Sequence, residues 1–273
     1  MDCQITTKTF NLNKEKNIGK VIYIVEGEDT EIQIIKTIFH KILGYGIIQK
    51  KRNGNIYELR NNKKKNSIVT IINSKNSNIK SIMSQEYIEE TLKMIQEEYQ
   101  IDYRQAPIFY IFDRDRESND NIEVIKNLIE TCKNSREESG IDKPKGLLLL
   151  SYPCIESFLI EANEKETKNF LETNKEKLEE LSNKYNKLKP YINQRRYKIT
   201  KLNEAKIMNA FEELIETLQT LDIEFENINV DDMAITNKKI FELEEKEFET
   251  KGIYRLLSLL LISLIDLGII EYN

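Results

Sequence analysis

Four short runs of unbroken apolar character constrain this chain most. They are KVIYIV (20–25), SIVTII (67–72), PIFYIF (107–112) and GLLLLSY (146–152). A strand with one wet face alternates apolar and polar residues. A run without alternation expects cover on both faces, the condition of a central strand in a parallel sheet. Helical spacing fills the intervals. Ile35, Ile38, Phe39 and Ile42 share a face before a stop at Gly44, and Thr30 with Gln33 reads as a capping box. A second pattern runs through Ile88, Leu92, Ile95 and Tyr99. A third starts at Asp120 and Glu123 and continues through Ile122, Ile125, Ile129 and Cys132. Strands alternating with helices predict an α/β domain over residues 1–160.

Residues 161–273 change character. They are helix-forming and charged as far as about Gly252, with FEELIETLQTL (211–221) clearly amphipathic. No repeat and no Gly/Ser linker separates the halves, so this helical region is expected to pack on the α/β part. Its last segment, YRLLSLLLISLIDLGII (254–270), is apolar but interrupted by Ser258, Ser263, Asp266 and Gly268. It falls short of the roughly 20 residues of a membrane span. It reads as a buried or interface helix, a candidate for homodimerisation or for docking on a partner, with no membrane role. The N-terminal MDCQITTKTFNLNKEK lacks the apolar core of a secretion signal. Cys3, Cys132 and Cys154 form no CxxC and no even framework, so a cytoplasmic, reducing location is expected.

The chemistry is expected where the strands end. In open α/β sheets, ligands bind at the carboxyl ends of the strands. KVIYIV runs into Glu26, PIFYIF into Asp113 with Asp115 two residues on, and GLLLLSY into Pro153-Cys154-Ile155-Glu156. Parallel neighbouring strands bring these carboxylates to one edge, where mutual repulsion would hold some of them protonated. A hard divalent cation with oxygen ligands, Mg²⁺ or Mn²⁺, removes that cost. Each acid alone has an ordinary explanation: a turn, a solvated loop, or the favoured first turn of a helix. Their joint occurrence at three strand ends points to a metal site.

Glu26-Gly27 followed by Asp113-x-Asp115 after a later strand resembles the acidic signature of Toprim domains, found in topoisomerases, primases and several nucleases. The resemblance spans roughly residues 18–160. More narrowly, EGEDTE (26–31) and SYPCIESFLI (151–160) are similar to motifs of the RloB-like and abortive-infection Toprim proteins, relatives of the overcoming-lysogenization-defect nucleases. The chain departs from them at Ser157-Phe158, where a Trp is common, and at Tyr152, which replaces an Asn. Neither change touches a carboxylate. The resemblance implies a Toprim-like, doubly wound, mainly parallel sheet. It implies metal-dependent phosphodiester hydrolysis, with Glu26, Asp113 and Asp115 holding one or two Mg²⁺ ions. Glu156 is then a further ligand or the general base, a role that Glu26 could instead take. It also implies a separate ATPase partner that restrains a toxic anti-phage effector. A catalytically inactive Toprim protein that only binds nucleic acid or assembles is the alternative.

The remaining features limit the class. There is no room for a topoisomerase's second domain, no Cys/His set for a primase zinc module, and no glycine-rich phosphate loop. His40, the one histidine, reads as structural. With 46 acids against 41 bases, overall charge does not announce a nucleic-acid binder. Local charge does. QKKRNGNIYELRNNKKK (49–65) holds seven bases against one acid, including Lys50, Lys51 and Arg52. KYNKLKPYINQRRYKITK (184–201) holds seven bases and no acid, including Arg195, Arg196 and Lys198, interleaved with Tyr185, Tyr191 and Tyr197. Such stretches fit phosphate contacts and base stacking, on RNA (a tRNA loop, for example) or DNA. Arg114 or Arg116 is a candidate phosphate contact, or else a solvated balance to nearby acids.

Overall fold

All four apolar runs become strands of one sheet, and both faces of that sheet are covered. The computed structural model describes residues 10–27, 29–50, 56–74, 79, 90, 93, 96–97, 106–117, 119–136, 146–181, 188–193 and 197–272. The helix expected around Ile88, Leu92, Ile95 and Tyr99 lies outside them. The strands are β1 (Phe10–Leu12), β2 (Lys20–Val25), β3 (Tyr45–Lys50), β4 (Ile56–Asn61), β5 (Ile68–Asn73), β6 (Ile108–Asp113), β7 (Lys133–Asn134), β8 (Gly146–Tyr152), β9 (Leu257–Ser258) and β10 (Ile270–Tyr272). The main sheet has the order β3-β4-β5-β2-β6-β8-β7, with β9 also paired to β8. Strands β5, β2, β6 and β8 run parallel to one another, while β3, β4 and β5 form an antiparallel meander.

Unbroken hydrophobicity in the sequence corresponds to two-sided burial in the fold. All seven residues of β8 and Ile108–Phe112 of β6 are buried. Each aliphatic side chain so placed stabilises the fold by about 1.5–3 kcal/mol relative to exposure. The rings interlock: Tyr23 stacks on Phe109 at 5.3 Å and lies 5.9 Å from Phe39. The buried Tyr23 hydroxyl donates to Ser263 Oγ at 3.0 Å, so its polar end is satisfied.

The described helices are α1 (Thr30–Lys36), α2 (Ile122–Thr131), α3 (Glu156–Glu161), α4 (Phe170–Thr173), α5 (Lys175–Leu181), α6 (Lys189–Asn193), α7 (Glu204–Thr220), α8 (Ala234–Lys251) and α9 (Leu260–Asp266). Helix α1 continues as a π-helical segment, Thr37–Ile42. The reversal into β3 then uses Gly44 at φ +75°, a conformation that glycine reaches without penalty. The expected capping box does not form. Asp29 takes the N-cap position with no side-chain cap, and the Thr30 hydroxyl is used elsewhere. Helix α2 is capped by Asn121, whose Oδ1 accepts from the Val124 N–H at 3.1 Å, one residue beyond the expected Asp120.

The C-terminal region is built into the sheet rather than laid beside it. Strand β9 extends the β8 edge, and β10 pairs antiparallel with β1 in the register Phe10↔Tyr272. Helix α8 packs on α2, and Asn237 Nδ2 donates to the Leu148 carbonyl of β8 at 2.9 Å. The apolar segment 256–270 enters this same core: Leu257, Leu260, Leu261, Ile262 and Leu264 are all buried. This is the buried alternative of the two expected for it. Among the described residues, no helix is long and apolar enough to cross a membrane.

Candidate active site at the carboxyl edge of the sheet

Strand order brings the expected acids together. From β2 the chain travels to the β3-β4-β5 side, whereas β6 and β8 lie on the other side. The carboxyl ends of β2 and β6 therefore flank the switch point where open α/β sheets bind ligands. Glu26 follows β2 directly and Asp113 is the last residue of β6.

The carboxylates are fixed by backbone amides. The Asp113 N–H donates to Glu26 Oε2 at 3.0 Å, and the Ile155 N–H donates to Asp113 Oδ1 at 2.7 Å. Asp115 Oδ1 accepts from the Glu117 N–H at 2.9 Å. Glu156 opens α3, is buried, and accepts at Oε1 from the Thr30 hydroxyl at 3.2 Å. That contact is where the missing capping hydroxyl went: Thr30 ties α1 to the acid cluster instead of to its own helix.

A fifth acid, Glu31, joins them. It is buried in the first turn of α1, and a Cβ on Gly27 would stand only 2.6 Å from its Oε2. Gly27 leaves room for the Glu31 carboxylate to lie against the backbone there. The signal was in EGEDTE itself, but a first-turn glutamate looks like a helix-dipole residue. Only the buried neighbours Ile32, Ile34 and Ile35 show that this turn faces inward.

Together these acids are poorly hydrated and mutually repelling. Burial pushes the Glu26 carboxyl up to about 8; Glu31, Asp115 and Glu156 add to the rise, and the Asp113 N–H opposes it. Burial likewise raises Asp113 well above its ordinary value, helped by Glu31, Glu26 and Glu156. Glu31 is raised by burial and then by Glu156, against the lowering effect of Lys189 and the Gly27 N–H. Among the described residues, no three Asp, Glu, His or Cys side chains are disposed to hold a cation together. The donor set still fits Mg²⁺, which commonly takes one or two carboxylates and keeps the rest of its shell as water and substrate phosphate. Glu26 Oε1 and Asp113 Oδ2 are outside the backbone hydrogen bonds described above and are the oxygens left for it.

Of the two arginines of the acidic loop, Arg114 matches neither expected alternative, while Arg116, partly exposed and 3.8 Å from Glu245 Oε2, balances a nearby acid. Arg114 is fully buried, neither solvated nor turned towards a phosphate. Its Nε donates to Glu245 Oε1 of α8 at 2.7 Å, Nη1 donates to the Asn119 carbonyl at 2.8 Å, and its guanidinium lies over Phe241. Tyr254 also donates to Glu245 Oε1 at 2.7 Å. Arg116 stacks over Phe248 at 4.7 Å with its side chain 29% exposed. The loop carrying Asp113 and Asp115 is thus pinned to the C-terminal region.

The basic stretches divide. Lys51, Arg52, Arg195 and Arg196 lie outside the described residues, and Lys50 closes β3. Elsewhere in the first stretch, Arg60 pairs with Glu58 at 3.4 Å, and Lys63 and Lys64 reach Glu15 at 2.9 and 3.9 Å. These partners reduce the free positive charge. Tyr191 and Tyr197 are buried and stacked on each other at 5.8 Å, and the Tyr197 hydroxyl donates to Glu164 at 2.5 Å. They are not the open stacking platforms that their spacing promised. Lys198 is exposed. Lys189 and Ile192 of helix α6 and residues 197–200 instead line a cavity of about 430 Å³ together with Thr30, Gln33 and Thr37 of the first helical segment and Glu156. His40 is exposed, with Nδ1 2.5 Å from the Tyr45 carbonyl and away from the acids, in keeping with a structural role. No family model matches the chain, and neither a curated protein nor a solved structure matches it.

Proposed function

We propose that this chain is a metal-dependent phosphodiesterase of the Toprim type, a nuclease that cuts RNA or DNA as the effector of an anti-phage system. One observation carries the chemistry: Glu26 and Asp113 are joined by a hydrogen bond at the β2/β6 switch point, with Glu31, Asp115 and Glu156 electrostatically coupled to them. The Toprim fold, the toxic role and the restraining ATPase rest on the motif resemblance.

In this reading Glu26 and Asp113 would hold Mg²⁺ or Mn²⁺ directly, and Asp115, the third acid expected there, would act through the ion's water shell. The cation supplies Lewis-acid stabilisation for the scissile phosphate and a more acidic bound water. The protein's own part is positional. Backbone N–H groups orient Glu26 and Asp113 through one oxygen each, so the other oxygens are preorganised. Glu156, held by Thr30, is the group placed to accept a proton. Arg114 anchors the loop that carries both aspartates.

The test is cleavage of total tRNA and of supercoiled plasmid, in separate reactions, with Mg²⁺, Mn²⁺ or EDTA. Wild type should cut one substrate with metal and not with EDTA, and Glu26→Gln should be inactive. Cutting that persists in EDTA or in Glu26→Gln sinks the proposal. The rival reading, an inactive Toprim binding or assembly protein, draws on the lack of three converging ligands among the described residues. It expects Glu26→Gln and Asp113→Asn to leave function intact.

A further inference from the structure

The cavity beside the acidic edge has walls of different chemistry. Apolar side chains line part of it: Leu159 of α3, Ile192 of α6 and Ile199. Lys189 and Lys198 line it as well, and both side chains are exposed. Gln33, Thr37 and Thr200 supply neutral hydrogen-bonding groups. Thr30 and Glu156 also line it, hydrogen-bonded to each other at 3.2 Å, and Glu156 is coupled to Glu26 and Asp113. Glu156 thus both lines the cavity and belongs to the acidic cluster. Lys189 bears on Glu31 as well.

Size and polarity select the occupant. A volume of about 430 Å³ lies in the range of small-ligand sites, roughly 300–1,000 Å³. It accommodates one nucleoside and excludes a duplex. The apolar side chains suit the face of a base, the amide and hydroxyls suit its edge, and the two lysines suit the phosphates on either side. A base lodged here carries its own phosphate towards Glu156 and the acids.

We infer that this cavity receives the base of one unpaired nucleotide next to the scissile phosphate, so that the substrate is a single strand or an extruded nucleotide rather than an intact duplex. The inference rests on the phosphodiesterase reading and narrows it. It also gives the second basic stretch a role as the wall of a pocket, in place of an open stacking surface.

Fluorescence anisotropy, with Ca²⁺ replacing Mg²⁺ to limit cleavage, tests it. The probes are a short labelled oligouridylate, the same strand annealed into a duplex, and uridine monophosphate as competitor. Wild type should prefer the single strand by about tenfold or more, in line with the stacking of one base. Ile199→Trp, which fills the cavity, should lose about tenfold. Thr200→Trp, exposed at the rim, repeats the test should Ile199→Trp fail to fold, as judged by circular dichroism. Lys198→Glu should weaken binding and flatten its salt dependence. Equal affinity for strand and duplex, or undiminished binding by a folded cavity-filling variant, overturns the inference. So does competition by the mononucleotide as strong as by the strand, which would mark a small-molecule site. Cleavage assays on the same variants separate the two levels. Metal-dependent cutting unchanged by the filled cavity leaves the nuclease reading and removes the pocket. Strand binding that depends on the cavity without any cutting does the reverse.

Discussion

Arg114 stands between the two aspartates of the acidic loop, and its guanidinium turns inward to donate to Glu245 at 2.7 Å, across 131 residues of chain. Its remaining Nη2 has no hydrogen-bond partner, and Glu245 Oε2, also without one, has only the looser ion pair with Arg116 at 3.8 Å. A buried pair of this kind contributes little net stability over an apolar substitute, but removing one partner strands the other charge. Arg114→Met alone is expected to destabilise the protein by about 3–5 kcal/mol, and Arg114→Met with Glu245→Leu should recover most of that loss. Urea denaturation of the single and double variants checks it. A double variant as unstable as the single one refutes the account.

The Glu26 carboxyl dictates a pH dependence. Its folded-state value, about 8, lies above the ordinary 4.5, so the native state binds more protons between those limits. Stability contributed by the protonated form is full below about 4.5 and is lost as pH rises towards 8. Asp113 and Glu31 shift in the same direction. In EDTA, Glu26→Gln should match wild type near pH 4 and exceed it by about 1–3 kcal/mol near pH 9. Thermal unfolding across pH gives the comparison. A constant gap between the two proteins contradicts the assignment.

Cation binding should reverse that loss. At pH 8, Mg²⁺ or Mn²⁺ at a hundredfold excess over its dissociation constant is expected to stabilise wild type by about 2.7 kcal/mol. Glu26→Gln and Asp113→Asn should gain far less. The measurement is a melting curve in Mg²⁺ against one in EDTA. An unshifted wild type at high Mg²⁺ would rule out a cation at this edge.

Removing residues 253–273 should unfold the protein instead of releasing it from a partner. The deletion takes away β9, α9 and β10, together with the Tyr23 hydrogen bond to Ser263. Near-ultraviolet circular dichroism should lose its tertiary signal and urea unfolding its cooperativity. A soluble, cooperatively unfolding truncation would show that the segment is dispensable to the core.

The parallel strands were legible because two-sided burial leaves no polar residue to interrupt KVIYIV or GLLLLSY. The acids were legible because each ends or follows such a run. Glu31 was not, since its inward direction depends on how α1 docks. Arg114 was not, since its partner Glu245 is remote in sequence and nothing local marks an arginine for burial. Strands β9 and β10 were missed for a related reason: at two and three residues they carry no periodicity, and only their partners β8 and β1 define them. Tyr197 misled because a basic neighbourhood says nothing about which way a ring packs.

The late position of Glu245 and β9 has a consequence for how the protein is made. When a ribosome has delivered residues 1–160, all the acids of the edge have been synthesised, but the helix that pins their loop and the strand that lengthens β8 have not. The edge reaches its final arrangement only after Glu245 and β9 have emerged as well. The acids alone therefore do not make the edge: it is set only once α8 and β9 have folded back onto a sheet that was synthesised before them.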